Sequence, residues 1–169
     1  MPEQDQSARA AERVGPKILT FEVLGEDYGI DIEHVREIRG WASVRSVPGA
    51  ADFVLGILRL RGSVIPIVDL RRRLGLGQSV CDNRTVVIIV ALGHGRTVNN
   101  VGLVVDSVSD VVDLSRGRLV DSPELGTPAQ KALAREVGLL DDRMYLLIDL
   151  ERIFDQKELA ALEHVVAPG

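Results

Sequence analysis

An all-β chain, built as two small barrels that share a core and finished by one C-terminal α-helix, is the fold class this sequence predicts. Three observations point to it. Short runs of aliphatic and β-branched residues recur at roughly 8–12-residue spacing with Gly and Pro between them. No long helical period separates those runs, so crossover helices for a parallel α/β sheet are missing. Finally, two patterns occur twice. Gly29-Ile30-Asp31-Ile32-Glu33-His34-Val35-Arg36-Glu37-Ile38 has the form of Gly102-Leu103-Val104-Val105-Asp106-Ser107-Val108-Ser109-Asp110-Val111, 73 residues on. Ile67-Val68-Asp69-Leu70-Arg71-Arg72 returns as Leu147-Ile148-Asp149-Leu150-Glu151-Arg152, 80 residues on. Two pattern pairs at nearly one offset indicate an internal duplication and two similar halves. The strands are short and the apolar surface continuous, so neither half is expected to stand alone.

In chain order, residues 1–15 are polar and alanine-rich and read as a disordered tail. Leu19, Phe21 and Val23 alternate with Thr20 and Glu22, which predicts a strand with one wet face over 18–24. Gly25-Glu26-Asp27 is the turn after it. Residues 28–40 start extended at Tyr28–Asp31, bend around Glu33–Val35 and resume through Glu37 and Ile38. Val47-Pro48-Gly49 punctuates the approach to the central unit, Gly56–Leu76. There Val64-Ile65-Pro66-Ile67-Val68 is a buried strand, placed at an edge or carrying a bulge because Pro66 has no N–H for a ladder. Asp69 caps a short helix, Leu70–Leu74, that stops at Gly75. A polar loop, 77–84, leads to Thr85–Leu92, apolar without alternation and so buried on both faces. Gly93-His94-Gly95 is a hairpin tip. Val101–Asp113 is a long extended stretch, with a shorter one near Leu119 and a loop over 122–127. Pro128 opens a short helix over 128–136, Arg143–Ile148 is the last strand, and Asp155 with Glu158 forms a capping box for a helix from Gln156 to about Val165. The domain boundaries follow: a tail over 1–15, one double-barrel domain over 16–155, and a helix and tail over 156–169.

Composition narrows the function. With 169 residues, 46% of them hydrophobic, the chain can bury a core without staples. Its single cysteine, Cys81, excludes an internal disulfide and fits a reducing, cytoplasmic compartment. No apolar run approaches the roughly 18 residues of a membrane span. A net charge of −5 and 4% aromatic residues argue against general affinity for nucleic acid, although Arg71-Arg72-Arg73 is a local basic cluster that a small-barrel RNA-binding reading would use. No catalytic constellation emerges. Asp31, Asp69, Asp106 and Asp149 have the residue type for acid–base pairs, but Asp69 and Asp149 stand where a strand becomes a helix, as caps do. Cys81 and His94 lie in polar loops without an orienting third group, and the three histidines have no metal-ligand spacing. The central unit carries Arg59, Arg61, Arg71, Arg72 and Arg73, a surface suited to contact rather than catalysis.

Four motifs, YGIDIEHVREIRG, LRGSVIPIVDLRRRLG, RTVVIIV and VGLVVDSVSDVV, occur in an order and spacing that resemble the CheW-type coupling proteins of bacterial chemotaxis, over about Leu19 to Phe154. The resemblance implies two interlocked five-stranded, SH3-like barrels and a C-terminal helix. It also implies a stand-alone, cytoplasmic scaffold with no enzymatic activity, metal or cofactor, recruited to the membrane-associated receptor array. Its partners would be the cytoplasmic tips of methyl-accepting chemoreceptors and the regulatory domain of a histidine kinase, with no nucleic acid and no membrane insertion. The family's receptor-facing positions carry over onto Val35, Glu37, Arg61, Val86, Gly102 and Val108, and a kinase-facing surface onto the loop of Pro123 and Leu125. Glu37 and Arg61 either pair beside a groove between the barrels or stand as separate rim charges. The chain departs from the family at Arg59, where Asn is usual two residues before the motif arginine, and at Leu125, where a larger aromatic is common. The added charge bears on which receptors are accepted.

Overall fold

The computed structural model describes residues 15–92, 100–122, 126–134 and 136–166. Residues 1–14 of the expected tail over 1–15, the hairpin tip at Gly93-His94-Gly95 and the loop residues Pro123 and Leu125 lie outside them, whereas Gly15 is buried and donates its N–H to the Leu114 carbonyl at 3.3 Å. The strands are β1 Lys17–Val23, β2 Glu26–Asp31, β3 Val35–Gly40, β4 Val54–Leu60, β5 Ser63–Asp69, β6 Val86–Ala91, β7 Asn100–Val105, β8 Ser107–Asp113, β9 Arg118–Asp121, β10 Glu136–Leu140 and β11 Arg143–Leu147. The helices are α1 Leu70–Arg73, α2 Pro128–Leu133 and α3 Gln156–Val166, and 3-10 turns lie at Ile32–His34, Leu114–Arg116 and Leu150–Arg152.

The strands form two sheets, ordered β3-β6-β7-β5-β4 and β8-β1-β2-β11-β10-β9. The second has one strand more than the five expected. That strand, β9, lies on β10, and its counterpart in the first sheet is a single bridge between Arg45 and Ile57. The chain approaches β4 there so closely that a Cβ on Gly56 would collide with the Arg45 carbonyl oxygen.

The duplication is visible in the register. Parallel pairing joins Gly29 to Leu147 and Gly102 to Ile67. Each glycine admits the facing side chain: a Cβ would meet Ile18 Cδ1 at 2.6 Å at Gly29 and Ile67 Cδ1 at 2.5 Å at Gly102. Both β3 and β8 carry a bulge, at Arg36 and Ser109, again 73 residues apart. Assigned to the repeats, each sheet is mixed. The first hairpin of one repeat, β1-β2, completes the sheet formed by the last strands of the other, and β6-β7 does the reverse.

The buried side chains divide accordingly. Ile65, Ile67, Val87, Ile89 and Val104 fill the inside of the five-stranded barrel, and Ile18, Leu114, Leu119 and Tyr145 the inside of the other. The largest cluster lies between the barrels and under α3. It includes Leu19, Phe21, Tyr28, Val68, Ile88, Val90, Leu103, Ile153 and Leu162. Most of the apolar burial therefore belongs to the junction between the two halves.

Several expectations change in detail. The inner face of β1 is not wet: Ile18 and Thr20 are buried, and the Thr20 hydroxyl donates to the Asp110 carbonyl and accepts from the Asp110 N–H, both at 3.1 Å. The turn after β1 is Leu24-Gly25, and β2 begins already at Glu26. Pro66 stands in an internal strand. It faces Ile57, whose N–H and C=O both bond to Arg45 instead, and β7 joins β5 only from Ile67 on, so no ladder bond is lost there. The stretch Val101–Asp113 breaks at Asp106, where the chain passes from one sheet to the other. The caps stand as expected. Asp69 is fully buried, accepting from Arg72 N at 3.5 Å and from Ser79 N and Oγ at 2.8 and 2.5 Å. Reciprocal bonds of 2.7 and 2.9 Å between Asp155 and Glu158 start α3.

Candidate functional site

The bulge at Arg36 decides how the expected receptor-facing residues are presented. Asp31 accepts from Glu33 N at 3.0 Å and holds the 3-10 turn before β3, and Arg36 Nη1 donates to the Glu33 carbonyl at 2.9 Å. Residues two apart in a strand share a face, but the extra residue reverses that. Val35 pairs with Val90 on the face turned to the other barrel, whereas Glu37 pairs with Ile89 on the barrel's inner side. The bulge at Ser109 does the same for Val108, which pairs with Phe21, and Asp110, which pairs with Thr20.

Val35, Val86 and Val108 are all half-buried and all pack against the inter-barrel core. They lie on its margin, where apolar surface remains available to a partner. Val35 and Val86 sit toward opposite ends of β6, facing Val90 and starting the strand respectively. At about 3.3 Å per residue this is on the order of 13 Å of strand, enough for two turns of a helix laid along it. Gly102 differs. It is buried against Ile67 and Val87 and offers no surface to a partner.

Arg61 and Glu37 form an ion pair at 3.5 Å. Arg61 occupies the two-residue loop between β4 and β5 with φ 51°, followed by Gly62 at 81°, a type I′ hairpin. Left-handed backbone at arginine is unfavourable, and Asp141, 80 residues on in the β10-β11 hairpin, shows the same φ sign at 53°. The Arg61 side chain is 78% exposed and that of Glu37 27%. The pair joins the β4-β5 loop to β3, the two ends of the five-stranded sheet, and leaves the guanidinium facing water.

The three arginines of α1 are committed to the fold. Arg71 Nη2 bonds both Asp106 carboxylate oxygens at 2.9 and 3.0 Å, and Asp106 also accepts from Leu24 N at 2.8 Å, so this group ties α1 to the crossover between sheets. Arg72 reaches the Asp52 carbonyl at 3.3 Å and its carboxylate at 3.7 Å. Arg73 donates to the carbonyls of Ile153 and Arg152 at 2.6 and 2.8 Å and lies over the Phe53 ring. The cluster thus holds the two barrels and the C-terminal segment together. Sequence reasoning missed this role because the partners come from distant segments.

A cleft of about 250 Å³ is lined by Glu26, Asp27, Ser122, Gly126, Gln130, Met144 and Leu146. Met144, 51% exposed, had no distinguishing signal in the sequence. Below it Tyr28 is fully buried; its hydroxyl accepts from Gln130 Nε2 at 3.0 Å and donates to Glu26 at 3.2 Å, and burial above all pushes its pKa up to about 12. No group of three His, Cys, Asp or Glu among the described residues could hold a metal ion. Burial, with Asp69 and Asp82 nearby, holds the Cys81 thiol above its ordinary range, away from the thiolate. Asp31 and Asp149 cap 3-10 turns, so the four aspartates considered for acid–base work serve as caps and ties.

Comparison with known proteins gives a consistent result. The family model for the CheW-like domain matches residues 17–158. The chemotaxis protein CheW of Klebsiella aerogenes is 38% identical over 94% of this chain and 93% of its own length. That of Rhizobium meliloti is 37% identical over 87% and 92%. Among solved structures, the scaffolding protein TtCheW from Thermoanaerobacter tengcongensis superposes with a TM-score of 0.70 at 30% identity, covering 85% of this chain and 94% of that one.

Proposed function

The chain belongs to the CheW-like family of non-enzymatic chemotaxis scaffolds, and on that premise we propose that it couples the cytoplasmic tips of chemoreceptors to the regulatory domain of a histidine kinase. The observation that carries this reading is the margin of the inter-barrel core. Val35, Val86 and Val108 leave apolar surface there, while Glu37 and Arg61 supply charge at the rim of the five-stranded barrel. A receptor tip is a helical hairpin. One of its helices can bury an apolar stripe along such a margin and take its register from polar groups at the rim. The kinase domain would dock elsewhere, through Pro123 and Leu125 and the cleft lined by Ser122, Gly126 and Met144. Among the described residues no helix is long and apolar enough to cross a membrane, so association with a receptor array would come through these protein contacts. The RNA-binding alternative loses its residues, because Arg71, Arg72 and Arg73 are engaged within the fold. The test is co-purification of the full chain with the receptor tip and with the kinase regulatory domain from the same source. Both should be retained, in one ternary complex; retention of neither overturns the proposal.

A further inference from the structure

Charge is unevenly distributed along this chain. From Val35 to Leu92, the stretch that supplies β3 to β6, nine arginines stand against four carboxylates, a net +5 in a chain whose total is −5. Glu37, Arg71, Arg72 and Arg73 take part in the pairs described above, but Arg45 and Arg59 do not. Both are exposed, and neither guanidinium has a hydrogen-bond or ion-pair partner among the described residues.

Their placement follows from register. Paired residues in a ladder point to the same face, as do residues two apart. Val68 of β5 turns toward the inter-barrel core, and on that same face lie Pro66 and Val64 of β5, then Ile57 and Arg59 opposite them on β4. Arg45 exchanges both backbone hydrogen bonds with Ile57, at 3.0 and 2.8 Å, so its side chain stands on that face too. Pro66 is still buried, but Ile57 and Val64 are only half-buried and belong to none of the three core clusters. The face that packs between the barrels thus runs on, uncovered, into a strip of two aliphatic side chains flanked by two unpaired guanidinium groups. It ends at the hairpin tip that holds Arg61.

We propose that this strip is a docking surface for an acidic helical segment of the receptor tip, with Arg59 as the residue that selects it. This rests on the reading of the groove given above and names the partner's chemistry. Ile57 and Val64 would bury apolar side chains, and Arg45 and Arg59 would each meet a carboxylate. An arginine can bind a carboxylate bidentately, which fixes geometry as well as charge. A partner helix with neutral or basic residues at those points would leave the cations desolvated and unpaired, and would be rejected.

The experiment measures binding of the full chain to the cytoplasmic receptor tip from the same source by calorimetry. Arg59→Asn should weaken affinity by about tenfold and Arg59→Glu by about a hundredfold, the usual scale for losing and reversing an interfacial charge contact. The wild type should lose more affinity between low and high salt than the Arg45→Gln/Arg59→Asn double variant does. Thermal midpoints should stay unchanged, since both side chains are exposed and unpaired. Replacing the facing receptor carboxylate with Lys should restore binding to Arg59→Glu. Arg59→Glu binding as tightly as wild type, or the salt dependence surviving in the double variant, overturns the proposal while leaving the receptor-coupling reading intact. If the wild type does not bind the tip at all, that reading fails. A glutamate-rich amphipathic helical peptide then tests the strip separately: Arg59-dependent binding upholds it, and no binding overturns it.

Discussion

Replacing Arg61 with Asn should make the protein slightly more stable and a poorer binder of receptor at the same time. Arg61 and Gly62 form the two-residue loop Leu60-Arg61-Gly62-Ser63 with both φ angles positive, 51° and 81°. Asn-Gly is the favoured pair in such a loop, whereas an ordinary L-residue in the left-handed region costs about 1–2 kcal/mol. Asn should recover about 0.5–1 kcal/mol of that. Against this stands the ion pair with Glu37. At 3.5 Å, with side chains 78% and 27% exposed, it belongs at the low end of the roughly 0–1 kcal/mol range for exposed pairs. The net change is therefore a gain of up to about 1 kcal/mol. Gly would relieve the same strain but would free the unfolded chain further, so Asn is the cleaner probe. Urea denaturation reads the stability, and titration with the receptor tip reads the binding. Binding should weaken by about 1–3 kcal/mol if the guanidinium is hydrogen-bonded to the receptor. A loss of more than about 1 kcal/mol of stability would falsify the strain argument and make the Glu37 pair structural. A stability gain with unchanged binding would remove Arg61 from the receptor interface.

Three further outcomes are expected. Val35→Glu should abolish receptor binding and keep kinase binding, while lowering stability by about 1–2 kcal/mol, because Val35 also packs on the inter-barrel core; retained receptor binding would show that this margin is not the site. Ile67→Ala, which hollows the fully buried inside of the five-stranded barrel, should cost about 2–4 kcal/mol, against less than about 1 for Val64→Ala on the open strip; equal costs in chemical denaturation would mean the faces of β5 are reversed. Tyr28 in the folded protein holds its proton up to about pH 12, against an ordinary value of 10.0. The folded pKa is the higher one, so the associated stability is whole below pH 10 and lost as pH rises toward 12, by about 2–3 kcal/mol. Tyr28→Phe should flatten that part of the stability profile, and an unaltered slope would place the titration elsewhere.

The strands were legible wherever apolar or β-branched runs met Gly or Pro, and the start of α3 was legible in Asp155 and Glu158. Pairing was not. Leu19-Thr20-Phe21-Glu22-Val23 alternates as a half-wet strand would, yet Thr20 is buried, because a hydroxyl bonded to backbone can go inside a barrel at little cost. Nor do the residues announce the bulges at Arg36 and Ser109, since the two-against-one count depends on the partner strand. Without them Val35 and Glu37 would share a face. The receptor-facing positions were legible only through the family resemblance. The uncovered face of Ile57 and Val64 needed the fold, because its exposure depends on where the second barrel stops.

The interleaving of the two repeats sets a timetable for synthesis. The five-stranded sheet has all its strands once Val105 has left the ribosome, but the six-stranded sheet waits for Leu147. In the β1-β2 hairpin, made first, β1 can pair with β8 once Asp113 is out, but β2 waits for β11. At about 5–20 residues per second, the intervening stretch takes on the order of 2–8 s to translate. Through that interval the outward side chains of the finished barrel, Val68, Ile88, Val90 and Leu103, lack the packing that Leu133, Ile148, Ile153 and Leu162 supply. The nascent chain passes through a stage that leaves part of its largest apolar surface uncovered, the stage at which a chaperone would find it and a destabilised variant would be lost.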